Sequence, residues 1–315
     1  MPQPGGRIDC PLARRRLPWP HRSGGAVSRR GCAMLKTVAV PVELSDHDQR
    51  VLQFVAGMSR WGVRRVVAIH VAQLTGMERS VALQKESELS RTLDSICAGL
   101  EGSDIDFECV LAGGAPAAAI VQTAAEHSAD AIVLGTRAKT VLNEITLGSV
   151  SEELARTSTL PVMLVPFKVL SESSADDIRA MGAEAFSYIQ HPTDFSDPAE
   201  RMLDFIKSLA GGGVGRVLVS SIIDPAKQDE SGPHERSARR ILAGIQRELA
   251  ESGIEADTEL AVGNVVDEIL RLSKEHGTTS FAMGSRGRTI QGELLLGSVS
   301  LSVMRVSGRP VLIGH

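Results

Sequence analysis

The sequence predicts an α/β protein built from two tandem five-stranded parallel sheets, each covered by helices on both faces. Two patterns carry that prediction. Short apolar, β-branched runs alternate with longer segments of helical period, as expected for strands buried on both faces and joined by crossover helices. The whole alternation then occurs a second time. Size agrees: at roughly 100 to 200 residues per domain, a chain of 315 residues, 43% hydrophobic and 23% charged, has material for two cores. With aromatics at 3% those cores must be aliphatic.

In the first copy, strands are predicted near 36–41, 65–71, 105–110, 130–135 and 161–165. The second offers 186–191, 215–221, 255–261, 279–284 and 309–313. Helical periodicity marks 49–61, 81–100, 118–126 and 150–156, with 298–305 late in the second copy. Right-handed crossovers turn this order into an open twisted sheet, and a ligand is expected at the carboxyl ends of the strands where strand order reverses.

The repeat can be read residue by residue. Thr37-Val38-Ala39-Val40-Pro41-Val42-Glu43-Leu44-Ser45-Asp46 lies opposite Tyr188-Ile189-Gln190-His191-Pro192-Thr193-Asp194-Phe195-Ser196-Asp197, an offset of 151 at which Pro, Ser and Asp coincide. Later the offset is 149, matching Gly114 with Gly263, Ile120 with Ile269, His127 with His276, Gly135 with Gly284, Gly148 with Gly297 and Ser149 with Ser298. A two-residue gap in one connection accounts for the change. The copies therefore run over 35–167 and 184–315, and the polar stretch Ser171-Glu172-Ser173-Ser174-Ala175-Asp176-Asp177 marks 168–183 as a linker.

Residues 1–34 stand apart. The first 33 hold seven Arg against one acid, with five Pro and five Gly, so they carry +6 and the remainder −10 of the total of −4. Lacking a secretory h-region or an amphipathic helix, this segment reads as a disordered basic extension or as a start assigned upstream of Met34. No apolar run approaches the ~18 residues of a membrane-spanning helix. Scarce aromatics supply little for base stacking, so neither a membrane nor a nucleic-acid partner is expected. Cys10, Cys32, Cys97 and Cys109 have neither metal-ligand spacing nor disulfide density, which suits a reducing cytoplasm.

The most informative segment follows the fourth strand of the second copy: Gly284-Ser285-Arg286-Gly287, nine residues, then Gly297-Ser298-Val299-Ser300. Gly284 and Gly287 permit positive φ and close approach of backbone to a ligand. Gly297 and Ser298 open a helix whose free N–H groups and positive dipole end can hold phosphate oxygens. This ordered set resembles the signature of the ATP-binding branch of the universal stress protein family. The resemblance extends over nearly all of both copies and includes Pro192-Thr193-Asp194-Phe195-Ser196 and Pro310-Val311-Leu312.

The resemblance implies a five-stranded parallel sheet of order 3-2-1-4-5 in each copy. Family members usually dimerise through the last strand, so a tandem chain is expected to pair 161–165 with 309–313 within itself, with association of two such chains left open. It also implies ATP, together with Mg²⁺, bound by the second copy: adenosine against Pro192, Thr193, Asp194 and Ile222; ribose and first phosphates along Met283, Gly284 and Gly287; triphosphate on Gly297, Ser298, Val299 and Ser300. Asp194 is either the polar contact to the nucleoside or a turn residue. In the first copy Glu43 stands for Asp194 and Ala138 for Gly287, so that site is expected to be weakened, while Pro41, Val42, Val71, Leu134, Gly135, Gly148, Ser149, Val150 and Ser151 retain the rest of the pattern.

His127 and His276 end helices, where a cation suits the dipole, and read as caps in preference to ligands. His191 has no partner for a metal site at a recognisable spacing. No G-x-S-x-G, Walker or H-E-x-x-H motif appears, and no residue can be nominated as a base. The favoured reading is a nucleotide-dependent stress-response module acting on a protein partner, with slow ATP hydrolysis as the most that is expected of it. Its alternatives are a weak ATPase or adenylate-transferring enzyme of the same superfamily, or a nucleotide-free scaffold.

Overall fold

The computed structural model describes residues 35–72, 79–98, 104–136, 139–141, 144–146, 148–225, 235–285 and 296–314. The basic extension, Ala138 and Gly287 lie outside them. The first copy contributes β1 (Thr37–Pro41), β2 (Arg65–Ala72), β3 (Asp106–Gly113), β4 (Ala131–Gly135) and β7 (Val162–Val165). The second contributes β8 (Tyr188–Pro192), β9 (Arg216–Ile223), β10 (Glu255–Val262), β11 (Ser280–Gly284) and β12 (Val311–Gly314).

These strands form one ten-stranded sheet of order β10-β9-β8-β11-β12-β7-β4-β1-β2-β3. Counted within each copy the order is 3-2-1-4-5, all parallel. The halves meet at an antiparallel joint in which Val311 faces Leu164, Leu312 faces Met163 and Ile313 faces Val162. All of these but Met163, Leu164, Val311 and Leu312 at 1% are fully inaccessible.

Alternation along the strands feeds two cores. Val38, Val40, Val66 and Ala68 point to one, Ala39, Val67, Ile69 and Ile132 to the other. The first core is roofed by α1 (Asp46–Gly57), α2 (Arg79–Ala98), α7 (Asp197–Ser208) and α8 (Glu235–Glu251). The second lies under α3 (Pro116–Glu126), α4 (Ser149–Thr157), α9 (Val265–His276) and α10 (Ser298–Val306). Both cores run through both copies, as a continuous sheet requires.

Two features depart from the sequence expectation. A short hairpin, β5 (Lys139–Val141) with β6 (Glu144–Thr146), stands between β4 and α4. The supposed linker is helical, forming α5 (Phe167–Glu172) and α6 (Ala175–Glu184). Its polar stretch is a helix end followed by a helix start: Ser174 caps α6 in a reciprocal capping box with Asp177. Leu170 and Ile178 are buried in the first core. α6 lies directly on α1, with the Trp61 indole N–H donating to the Gly182 carbonyl at 3.1 Å. The Arg50 guanidinium reaches the carbonyls of Leu170 and Ser173. The helices approach so closely that a Cβ on Gly182 would stand 1.9 Å from the Phe54 carbonyl oxygen.

Gly182→Ala should therefore destabilise the chain by about 1–3 kcal/mol, the usual cost of overpacking, measured as a shift in the urea midpoint; an unchanged midpoint would show that α6 does not need this contact. Leu164→Ala, at the joint, should cost about 2–5 kcal/mol and leave a single calorimetric transition, whereas two transitions would mean that the halves do not unfold as one.

Candidate functional site at the strand carboxyl ends

In the second copy the chain leaves β8 toward one face and returns to β11 from the other, so the carboxyl ends of these adjacent strands flank the point where strand order reverses. On the β8 side Pro192 is buried and the Thr193 amide donates to the Ser220 carbonyl at 2.8 Å. The Thr193 hydroxyl accepts from the Phe195 amide at 3.0 Å. Phe195 is held at φ 59°, a left-handed conformation that costs a non-glycine residue about 1–2 kcal/mol. Asp194 is exposed, and its Oδ1 accepts from the amide and the hydroxyl of Ser196, at 3.1 and 2.6 Å. The turn role considered for Asp194 is thus present, with the side chain at the rim of the crevice.

Across the crevice, Met283 and Gly284 end β11. The Ser285 amide donates to the Gly314 carbonyl at 2.7 Å, and the Ser285 carbonyl accepts from the Gly297 amide at 2.7 Å. That second bond joins the residues flanking 286–295, a stretch that includes Arg286, Gly287 and Arg288 and lies outside the described residues. The Ser300 hydroxyl donates to the Gly284 carbonyl at 2.9 Å. Gly297 is the extended residue before α10, which has neither a side-chain cap nor an acidic residue in its first turn. The first-turn N–H groups of α10, at Ser298, Val299 and Ser300, thus begin beside the end of β11. Ile222, at the end of β9, is half-buried.

One expectation needs correction. Gly284 is not among the positive-φ residues. A Cβ there would meet Pro198 C at 2.8 Å and Ala199 N at 2.9 Å. Glycine at 284 is demanded by the start of α7 passing over β11. Gly135 has the same character, with Val51 Cγ2 2.9 Å from the Cβ position.

The first copy repeats this geometry with altered chemistry. The Val42 amide donates to the Ile69 carbonyl at 2.9 Å, the counterpart of the Thr193 bond. Leu44 has φ 63°, matching Phe195. Here the loop is tied by Asp48, whose Oδ2 accepts from the amides of Glu43 and Ser45 at 3.0 and 2.6 Å. Burial pushes the Asp48 carboxyl up despite the Ser45 bonds, which lower it. Glu43 is exposed. Pro41 and Val71 are half-buried and Leu134 is buried at the strand ends, and Gly148 precedes α4, whose first turn holds Ser149, Val150 and Ser151. That turn also contains Glu152, where α10 has Leu301. The contrast was legible in the aligned quartets Ser149-Val150-Ser151-Glu152 and Ser298-Val299-Ser300-Leu301, but the motif stops one residue short of it.

A family model described as the universal stress protein family matches residues 34–166 and 189–315. The chain belongs to the universal stress protein family. Universal stress protein MJ0577 of Methanocaldococcus jannaschii is 28% identical over 152 residues, which is 41% of this chain and 94% of the relative. The crystal structure of a universal stress protein from Archaeoglobus fulgidus, 23% identical, superposes on 88% of this chain and 97% of its own with a TM-score of 0.71. The functionally unknown protein PA1789 of Pseudomonas aeruginosa shares the fold at a TM-score of 0.52 and 16% identity, over 90% of this chain and 92% of its own. In this universal stress protein no helix among the described residues is long and apolar enough to cross a membrane.

The paired histidines sit toward the amino ends of the strands in their own copies, as helix ends that also meet carboxylates. His127 Nδ1 lies 3.4 Å from Glu108, which also pairs with Arg65. In the second copy His276 Nε2 lies 3.5 Å from Glu259, while Tyr188 donates to Asp257 at 2.6 Å and Arg216 contacts the same carboxylate at 2.7 Å. Burial pushes Glu108 and Asp257 up, but the bonds from Arg65 and from Tyr188 and Arg216, with the neighbouring positive charges, outweigh it and hold both below the usual carboxylate range. The unfolded chain then takes up these protons first, so stability present at neutral pH is lost as pH falls through the ordinary carboxylate range toward the folded values. Asp257→Asn should lower stability at neutral pH and flatten its fall on acidification, followed as urea midpoints from about pH 6 to pH 3; an acid slope equal to the parent's would remove Asp257 from the account.

Proposed function

We propose that this universal stress protein is a nucleotide-responsive regulatory module that binds ATP with magnesium in the second-copy crevice and presents the result to a protein partner in the cytoplasm. The observation that carries the reading is the uncapped, acid-free start of α10, held beside β11 by the Gly297–Ser285 bond and faced across the reversal point by Pro192, Thr193 and Asp194. Amides at a helix start are unsatisfied donors until an anion or water meets them, and the dipole favours negative charge there. The residues thus fit a polyphosphate: Ser298, Val299 and Ser300 supply donors, Ile222 offers apolar surface to a base, and Met283 and Gly284 end the strand along which the ribose and first phosphates would lie. Gly287 belongs to this set by its place in the sequence motif. The domains follow the repeat, 35–167 and 184–315.

The same reading makes the sites unequal. Pro41, Val42, Glu43, Val71, Leu134, Gly135, Gly148, Ser149, Val150 and Ser151 form the corresponding first site, but Glu152 places a carboxylate in the helix turn that would meet the phosphates. An acid there steadies the free helix and competes with an incoming anion. Binding, not turnover, is what these groups are equipped for.

Calorimetric titration of the intact chain with Mg·ATP should resolve two sites differing by about 1–3 kcal/mol, or roughly 5- to 150-fold in affinity. Asp194→Ala should weaken the tighter site and Glu152→Leu should tighten the weaker one. Two equal sites would remove the asymmetry, and the absence of saturable heat would end the proposal.

A further inference from the structure

A second cavity of about 420 Å³ opens between α7 and α8, on the face of the sheet opposite α10. Among the described residues it shares only Thr193 with those assigned to the candidate nucleotide crevice. His191 lies at its base, 1% exposed, with Nδ1 2.8 Å from the Ala282 carbonyl. A carbonyl only accepts, so Nδ1 carries the proton and Nε2 remains as an acceptor. Burial lowers the affinity of this ring for a second proton, against the opposing effects of Ala282 and Asp194. Phe195, Leu203, Ile241 and Ile245 supply an apolar side to the cavity, and Glu200, Asp204, Lys207 and Glu248 line at least as much of it with polar groups. Lys207 is bridged to Asp204 at 2.7 Å and to Glu248 at 3.3 Å, so the charged groups among the described lining residues are net negative.

The internal repeat supplies a control. At the offset of 151, His191 replaces Val40, Thr193 replaces Val42, Ala199 replaces Asp48 and Lys207 replaces Ala56, while Leu203 matches Leu52. The second copy thus places a buried acceptor where the first has aliphatic carbon, and a methyl where the first has a carboxylate that fills its own loop. α8 adds Gly244, a mid-helix glycine on the cavity whose Cβ would meet nothing within 4 Å. Glycine is the least favourable ordinary residue inside a helix, and here it leaves the wall open.

We propose that this cavity is a second ligand site, for a small apolar molecule that carries a hydrogen-bond donor and no negative charge, its donor on His191 Nε2. Volume fits the lower end of small-molecule pockets, roughly 300–1,000 Å³. An apolar body matches the side formed by Leu203, Ile241 and Ile245, and the acidic groups disfavour anions, which separates this site from one built for phosphates.

The test is titration of the full chain with 2-naphthol, 2-methoxynaphthalene and 2-naphthoate, followed by ligand-observed NMR, with and without saturating Mg·ATP. One 2-naphthol should bind per chain, at least about 5-fold more tightly than the methoxy compound, which lacks the donor, and 2-naphthoate should not saturate. His191→Val should erase the preference for the hydroxyl. Gly244→Leu should abolish binding with an unchanged or raised Tm, which separates a blocked cavity from a failed fold. The proposal is overturned by non-saturable 2-naphthol, by equal binding of the methoxy compound, by a Gly244→Leu variant that binds like the parent, or by competitive displacement with Mg·ATP, which would put the probe in the nucleotide crevice.

Discussion

Everything in this molecule hangs on the antiparallel joint between β7 and β12. Each copy ends in a short, fully apolar strand, Val162–Val165 and Val311–Gly314. Left unpaired, either would be a hydrophobic sheet edge with a row of free backbone donors and acceptors, the kind of edge that invites association. Pairing the two removes both edges at once and makes one sheet of two. Because the pairing is antiparallel while each copy is internally parallel, the strand carboxyl ends of the copies point in opposite directions. The two crevices therefore lie at opposite rims of one sheet, joined by shared cores.

Most of this was legible from the sequence because the signals are local and doubled. Strands buried on both faces read as continuous aliphatic runs, and the 151-to-149 offset lets each copy vouch for the other. What escaped had no counterpart in the repeat. The segment 168–183 occurs once, and its Ser, Asp and Glu residues look like a linker although Ser174 and Asp177 form a capping box; the decisive residue, Gly182, acts through a contact with Phe54 that lies far away in sequence. β5 and β6 also lack a described partner segment in the second copy. Gly284 was found for a reason that does not hold: its place in a loop motif suggested backbone freedom, whereas it is required by the passage of α7. Sequence spacing identifies the position but does not distinguish a glycine that must bend from one that must be small.

The first strand-to-helix loops show how one geometry is kept by different atoms. Both copies hold a left-handed residue before the helix, Leu44 and Phe195, and in both a carboxylate binds the amide of the following Ser. In the first copy that carboxylate is Asp48, reaching back from the helix; in the second it is Asp194, on the loop itself, and Ala199 occupies the helix position. Moving the tether by five residues relocates a charge from inside the protein to the crevice rim. Alignment alone pairs Glu43 with Asp194 and hides the exchange, because the equivalence lies in the hydrogen bonds and not in the column.

The same division runs into the core. Where the first copy has Ala39, Val40 and Ile69, the second has Gln190, His191 and Ser220, all buried at 1% or less. Gln190 Nε2 donates to the Ser220 hydroxyl at 3.2 Å and to the Ile269 carbonyl at 3.1 Å, yet its Oε1 has no partner among the described residues. A buried polar atom without a partner costs about 1–3 kcal/mol, so the central strands of the second copy are built at a disadvantage that those of the first avoid. Such a sheet is easier to maintain when its last strand is locked to an aliphatic neighbour. The β7–β12 joint is such a contact: it sets the polar strands of the second copy in one sheet with the aliphatic strands of the first.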